Sequence, residues 1–259
     1  MSIAALPYVN WIFWTALGAG SLLVVGLTER LGGTTRGYRL FMAGFTIVCA
    51  LILLVSELNL PGNVPAARTA DLRRILVVAF VAGSAAYLVA SVARWPRSAL
   101  AIGSGGIGLA AMVVLAAAGG SGSAALFAGQ LLLASLTLGA VNAAMLLGHW
   151  YLVTPRLSPT PLRRMMWLLL GALGLQAILF AIAVVTVPGD AIGGSMGWIT
   201  WLRLLVGIGL PIVATVLALL ASRAASLQAT TGLLYIGLAL VMAGSIAGAS
   251  ITYLTGVPV

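Results

Sequence analysis

Apolar runs of about 20 residues or more alternate with short polar stretches along the whole chain. A helix rising 1.5 Å per residue needs roughly 20 apolar residues to cross a hydrocarbon core about 30 Å thick. That ruler marks eight spans, near 10–28, 39–58, 74–94, 98–118, 124–153, 163–187, 200–222 and 231–256. The runs are continuous and rich in Leu and Ala, without the ten-residue alternation of an outer-membrane barrel. The pattern therefore predicts an all-α fold, a polytopic integral membrane protein of about eight transmembrane helices forming one domain over 1–259. Seven short loops leave no space between spans for a soluble domain.

The connections carry ordinary turn chemistry. Pro61 and Gly62 follow span two, GGSGS at 119–123 separates spans four and five, and Pro155, Pro159 and Pro161 end span five and delay span six. GSGGIG at 103–108 is not a phosphate loop, because it lies inside an apolar span with no Lys after it; its small residues instead predict close helix approach. Ala16-Leu17-Gly18-Ala19 in span one resembles Thr137-Leu138-Gly139-Ala140 in span five. The match allows a division into four-helix bundles over 1–120 and 121–259.

Composition agrees with this class. The chain is 62% hydrophobic and 7% charged, against roughly 25% charged residues in soluble domains. A single Cys, Cys49, excludes an internal disulfide framework. All thirteen basic residues are Arg, and the acids are Glu29, Glu57, Asp71 and Asp190. Such basic residues between apolar spans set membrane orientation more simply than they bind nucleic acid, and no nucleic-acid partner is expected. Nine Arg lie in odd-numbered loops, and four (Arg68, Arg73, Arg74 and Arg203) in even-numbered loops and span ends. Positive-inside counting then places both termini on the outer, periplasmic side of a bacterial cytoplasmic membrane. The N-terminal MSIAALPYVNWIFW lacks a basic n-region and a small-residue cleavage site, so span one is expected to remain as an anchor.

Ionisable and amide groups within spans are costly in hydrocarbon and are the first candidates for function. Asn10, Glu57, Asp190 and Arg203 fall at the outer helix ends, level with Tyr8, Trp11, Trp14, Trp198 and Trp201. A carboxylate, an arginine, an amide and aromatics at one depth suit a pocket in which Glu57, partly buried with Arg203 nearby, is a proton-relay carboxylate; the bland alternative is an aromatic belt with the two charges snorkelling or paired for stability. GHWYLVTPRL at 148–157 holds the only histidine, His149, beside Trp150 and Tyr151 and on one face with Met145 and Asn142. His149 is a candidate for a quinone carbonyl or a lipid headgroup, or has a structural place at the interface. A haem cannot take both axial ligands from this one helix face, so neither haem nor metal is expected on this chain alone. Gln130 and Gln176 lie deeper and are expected to bond across helices. With one His, one Cys and four acids, neither a metal cluster nor a hydrolytic triad is credible, and a stand-alone enzyme is not expected.

The opening span, NWIFWTALGAGSLLVVGL, and the SEL ending span two at 56–58 are similar to the polysulfide-reductase-type (NrfD-like) membrane subunits, over residues 8–60. GHWYLVTPRL has no counterpart in that resemblance. It implies a quinol-binding subunit without its own redox centre, with Asn10 and Glu57 at an outer-side quinone pocket and an iron–sulfur partner alongside. The leading expectation is thus a membrane subunit of a respiratory or photosynthetic electron-transfer complex. It would bind quinone and lipid, anchor membrane and peripheral redox subunits, and use Asn10, Glu57, Arg203 and His149 as quinone or proton sites, supported by Trp14, Trp150, Tyr151, Asn142 and Gln130. A small-solute permease and a purely structural or assembly subunit are the alternatives.

Overall fold

The computed structural model describes residues 6–32, 34–60, 69–95, 97–118, 124–154, 157–186 and 197–255. Every element among them is helical: α1 (Leu6–Leu31), α2 (Arg36–Leu58), α3 (Ala70–Ala93), α4 (Ser98–Ala118), α5 (Ala124–Val153), α6 (Thr160–Thr186), α7 (Gly197–Arg223) and α8 (Leu227–Thr255). All eight are long and apolar enough to cross a membrane, so the chain is a multi-pass membrane protein. The turns at 61–62 and 119–123, Pro155 and Asp190 lie outside the described residues.

Helix limits follow local chemistry more than hydropathy. The side chain of Thr35 accepts the Tyr38 N–H and caps α2. Pro161 sits in the first turn of α6, where a missing N–H costs nothing, so that helix starts three residues before its apolar run. Arg94 takes the left-handed conformation that stops α3. Helix α3 likewise begins at Ala70, four residues before the run that marks it, and this puts Arg73 inside the helix and not in a loop. Inside α7 the turn Leu205–Gly209 widens to a π turn, closed by the Leu210 N–H on the Leu205 carbonyl. The cause is Pro211, which has no N–H for the Gly207 carbonyl and whose ring crowds it.

Helices α1 to α4 pack in chain order, with α4 returning to α1, and α5 to α8 repeat the arrangement. The two sets meet mainly through α1 and α5, the helices whose apolar windows are most enclosed. Lipid tails are as apolar as Leu, so helix association here rests on close van der Waals packing. Small residues make that possible at three crossings. The Gly20 and Gly139 backbones touch, and a Cβ on either would run into the other helix's main chain. Gly105 and Gly108 of α4 lie against Ala19 and Leu23 of α1, as the 103–108 run predicts, while Gly103 and Gly106 face open space. Gly207 of the π turn meets Gly244 of α8 backbone to backbone. Two amide or hydroxyl pairs pin the centre: Asn142 Nδ2 donates to Ser21 Oγ at 3.0 Å, and Thr137 Oγ1 to Gln176 Oε1 at 3.5 Å.

Gly139→Ala is expected to lower the thermal midpoint of the detergent-purified protein sharply, because the added methyl has only backbone to displace. Gly171→Ala, with nothing within 4 Å of the new methyl, should leave the midpoint unchanged or raise it. Equal losses in both variants would refute the crossing.

Candidate functional site

The termini-side ends of α1, α2 and α3 bring together a closed charge cluster. Glu57 stands one residue before the end of α2, and Arg73 in the first turn of α3 reaches back to it. Arg73 Nε donates to Glu57 Oε2 at 2.8 Å and Nη2 to Oε1 at 3.0 Å, a bidentate fork. Trp11 of α1 donates its indole N–H to the same Oε2 at 2.8 Å, and the guanidinium carbon lies 5.9 Å from the Trp11 ring centre. Glu57 and Arg73 are each 2% exposed and Trp11 is fully buried. Within it one carboxylate faces one guanidinium, the pairing that lets two charges survive in hydrocarbon.

This corrects one expectation. Glu57 pairs with Arg73 and not with Arg203. Depth along the helix, which sequence supplies, matched Arg203 to Glu57; position around the bundle, which only packing supplies, puts Arg203 on α7 in the other set of helices.

Beside the cluster, an open groove of about 360 Å³ runs between α1 and α2, lined by Leu6, Pro7, Asn10, Val55, Ser56 and Asn59. Its polar floor is a relay of short bonds. Trp14 Nε1 donates to Asn10 Oδ1 at 2.7 Å, Asn10 Nδ2 to Ser56 Oγ at 2.7 Å, and Ser56 Oγ to the Ile52 carbonyl at 2.9 Å. The Asn10 amide nitrogen carries a second N–H that Ser56 does not use. Leu6 and Val55 are more than half exposed, so the groove opens where lipid would lie.

Arg203 lines a separate, partly open cavity of about 30 Å³ between α1, α5, α7 and α8, with Gln130 and Ser245 on its wall. Gln130 was expected to bond across helices, but both of its amide atoms are buried without a partner, as are Arg203 Nε and Ser245 Oγ. Gln176 does make the interhelical bond expected of it.

At the opposite face the residues around His149 do not converge. His149 is exposed and its Nδ1 lies 3.2 Å from the Tyr235 hydroxyl of α8. Trp150 packs on Gly37 of α2, the Tyr151 hydroxyl donates to the Ser158 carbonyl across the α5–α6 turn, and Asn142 is buried against α1. A cluster that sequence reasoning missed lies at this face too. The Tyr87 hydroxyl donates to Glu29 Oε1 at 2.8 Å, and Arg39 and Arg97 stand 3.7 and 3.5 Å from the same carboxylate. Its signal was present as Glu29 followed by Arg30, but it reads as loop until α2 and α4 bring their own arginines to it.

Among the described residues, no three His, Cys, Asp or Glu side chains gather as a metal site. Comparison of the chain with protein-family models, with curated proteins and with solved structures returned no match.

Glu57→Gln should destabilise the protein by about 3–5 kcal/mol, because Arg73 is then buried without its counter-charge. The double variant Glu57→Leu/Arg73→Met should recover most of that loss, read as thermal midpoints in one detergent. Additive losses would show that the pair is not coupled.

Proposed function

We propose that this chain is the membrane subunit of an electron-transfer complex of the bacterial cytoplasmic membrane, and that it receives the head group of a quinone in the groove between α1 and α2. The observation that carries the reading is the groove itself, an apolar slot of about 360 Å³ whose floor offers the unspent N–H of Asn10. Its volume lies at the lower end of the usual range for small-molecule sites, and Leu6, Pro7 and Val55 share its open lining with Asn10, Ser56 and Asn59. A quinone carbonyl accepts from Asn10, and the isoprenoid tail leaves past Leu6 and Val55 into lipid.

Glu57 acts here as a positioning residue. Its carboxylate holds Trp11 and Arg73 and thereby the α1–α2 spacing on which the groove depends. With four acids, one Cys and one His in the chain, oxidation of a quinol to the quinone passes its two electrons to an oxidised redox group on a partner subunit and releases its two protons to the water at the mouth of the groove. The termini face of the helices is then the outer face. Arg73 and Arg203 are buried side chains, so of the described arginines counted toward this face only Arg74, exposed near the start of α3, stays a surface charge, and the bias toward the odd-numbered loops is steeper than a plain count gives.

The test is titration of the detergent-purified protein with a short-chain naphthoquinone, read as quenching of Trp14 and its neighbours. Val55→Trp, which fills the groove from its lipid side, should abolish saturable quenching, and Asn10→Leu should weaken it roughly tenfold through one lost hydrogen bond. Binding unaltered in both variants would overturn the reading.

A further inference from the structure

The cavity between the two helix sets carries an argument that is independent of the groove. Arg203 is 2% exposed and makes no hydrogen bond or ion pair with any described residue. The described acids are committed elsewhere or exposed: Glu57 to Arg73, Glu29 to Tyr87, Arg39 and Arg97, and Asp71 exposed at the start of α3. A guanidinium held inside a membrane bundle without a counter-charge is among the most costly arrangements a protein can keep.

The unpaired polar atoms around it are mostly donors. Arg203 Nε–H and the two N–H of Gln130 Nε2 have no partner, the Ser245 hydroxyl can donate or accept, and Gln130 Oε1 is the one unpaired atom that can only accept. Thr252 has already given its proton to the Gly248 carbonyl at 2.9 Å. The remaining walls are apolar: Ile12, Phe13 and Ala16 of α1, with Phe127 and Leu131 of α5. Unspent donors and one positive charge in a largely apolar cavity describe a receptor for a negative charge. Size narrows the class, because about 30 Å³ holds two or so waters or one compact ion.

We propose that this chamber binds one small monovalent anion of halide size, held by Arg203, Gln130 and Ser245 inside the membrane. The ion supplies a counter-charge that no described residue provides and ties α5, α7 and α8 together at the level where α7 widens into its π turn and Gly207 meets Gly244. Binding would link the stability of the bundle to the anion present, since a ligand that binds only the folded state raises its stability with concentration.

The full chain, purified in detergent, is exchanged from chloride into gluconate at constant ionic strength and then titrated with chloride and with bromide. The expected result is a saturable rise of several degrees in thermal midpoint with either halide, and bromide anomalous density beside Arg203 in crystals. Arg203→Gln should remove the halide dependence. Should that variant fail to fold, Gln130→Leu keeps the charge and should raise the half-saturating halide concentration roughly tenfold. Equal midpoints in gluconate and halide, or a halide effect retained in both variants, would overturn the proposal. A halide-independent wild type that loses stability on Asp190→Asn would overturn it as well, by making a carboxylate the counter-ion.

Discussion

The contact of the Gly20 and Gly139 backbones is the constraint on which the rest of the structure depends. In water two amphipathic helices would be pressed together by burial of apolar surface, whatever their interface. Between lipid tails that force is absent, and only close packing and a few polar bonds favour helix on helix over helix on lipid. Residues without side chains let α1 and α5 approach until their main chains touch, and the Asn142–Ser21 bond next to the crossing fixes their rotation. With α1 and α5 set as an axis, each carries its own ring of three further helices, and both charge clusters, the groove and the chamber each take at least one residue or one wall from α1.

Charge in this protein is handled in two ways. The first helix set closes its charges locally. Glu57 meets Arg73 near one membrane face, and Glu29 meets Tyr87, Arg39 and Arg97 near the other, each carboxylate receiving a donor from a neighbouring helix. These clusters act as rivets, since removing one partner leaves a buried charge that lipid cannot solvate. The second set does not close its charge among the described residues. Arg203, Gln130 and Ser245 leave polar atoms unpaired around a chamber that no described side chain fills. A structural role requires partners, and a binding role requires their absence. The same residue types at similar depths therefore divide into two kinds by their hydrogen bonds alone.

Much of the architecture was legible in the chain, because span length and hydropathy are properties of single segments. Eight runs became eight helices, and the small-residue spacing at 103–108 correctly marked a helix contact through Gly105 and Gly108. The candidate site was only half legible. Depth along each helix can be counted in residues, so Asn10, Trp11 and Glu57 were rightly placed at one level. Azimuth cannot be counted, because it depends on which neighbour each helix finds. Arg73 was read as a loop charge because hydropathy starts α3 at Arg74, whereas a helix needs no apolar residue in its first turn. Once Arg73 is helical it is the nearer partner, and Arg203 loses that role. The π turn had a visible cause in Pro211, but its effect on the α7–α8 contact needed Gly244 from another helix.

Helix α1 is shared by the groove and the chamber, and this shapes how evidence about either must be weighed. Asn10 and Trp14, one turn apart, face the α2 side, while Ile12 and Ala16, also one turn apart, wall the chamber. A substitution that merely tilts α1 would disturb both sites together, and loss of both would say nothing about ligand contacts. Changes at Val55 and Arg203 escape this ambiguity, because neither side chain belongs to α1 and each borders only one of the two cavities. A response confined to quinone for the first and to halide for the second is thus the pattern that two separate sites require. A common response would point back to the α1–α5 axis as the single thing that both changes had disturbed.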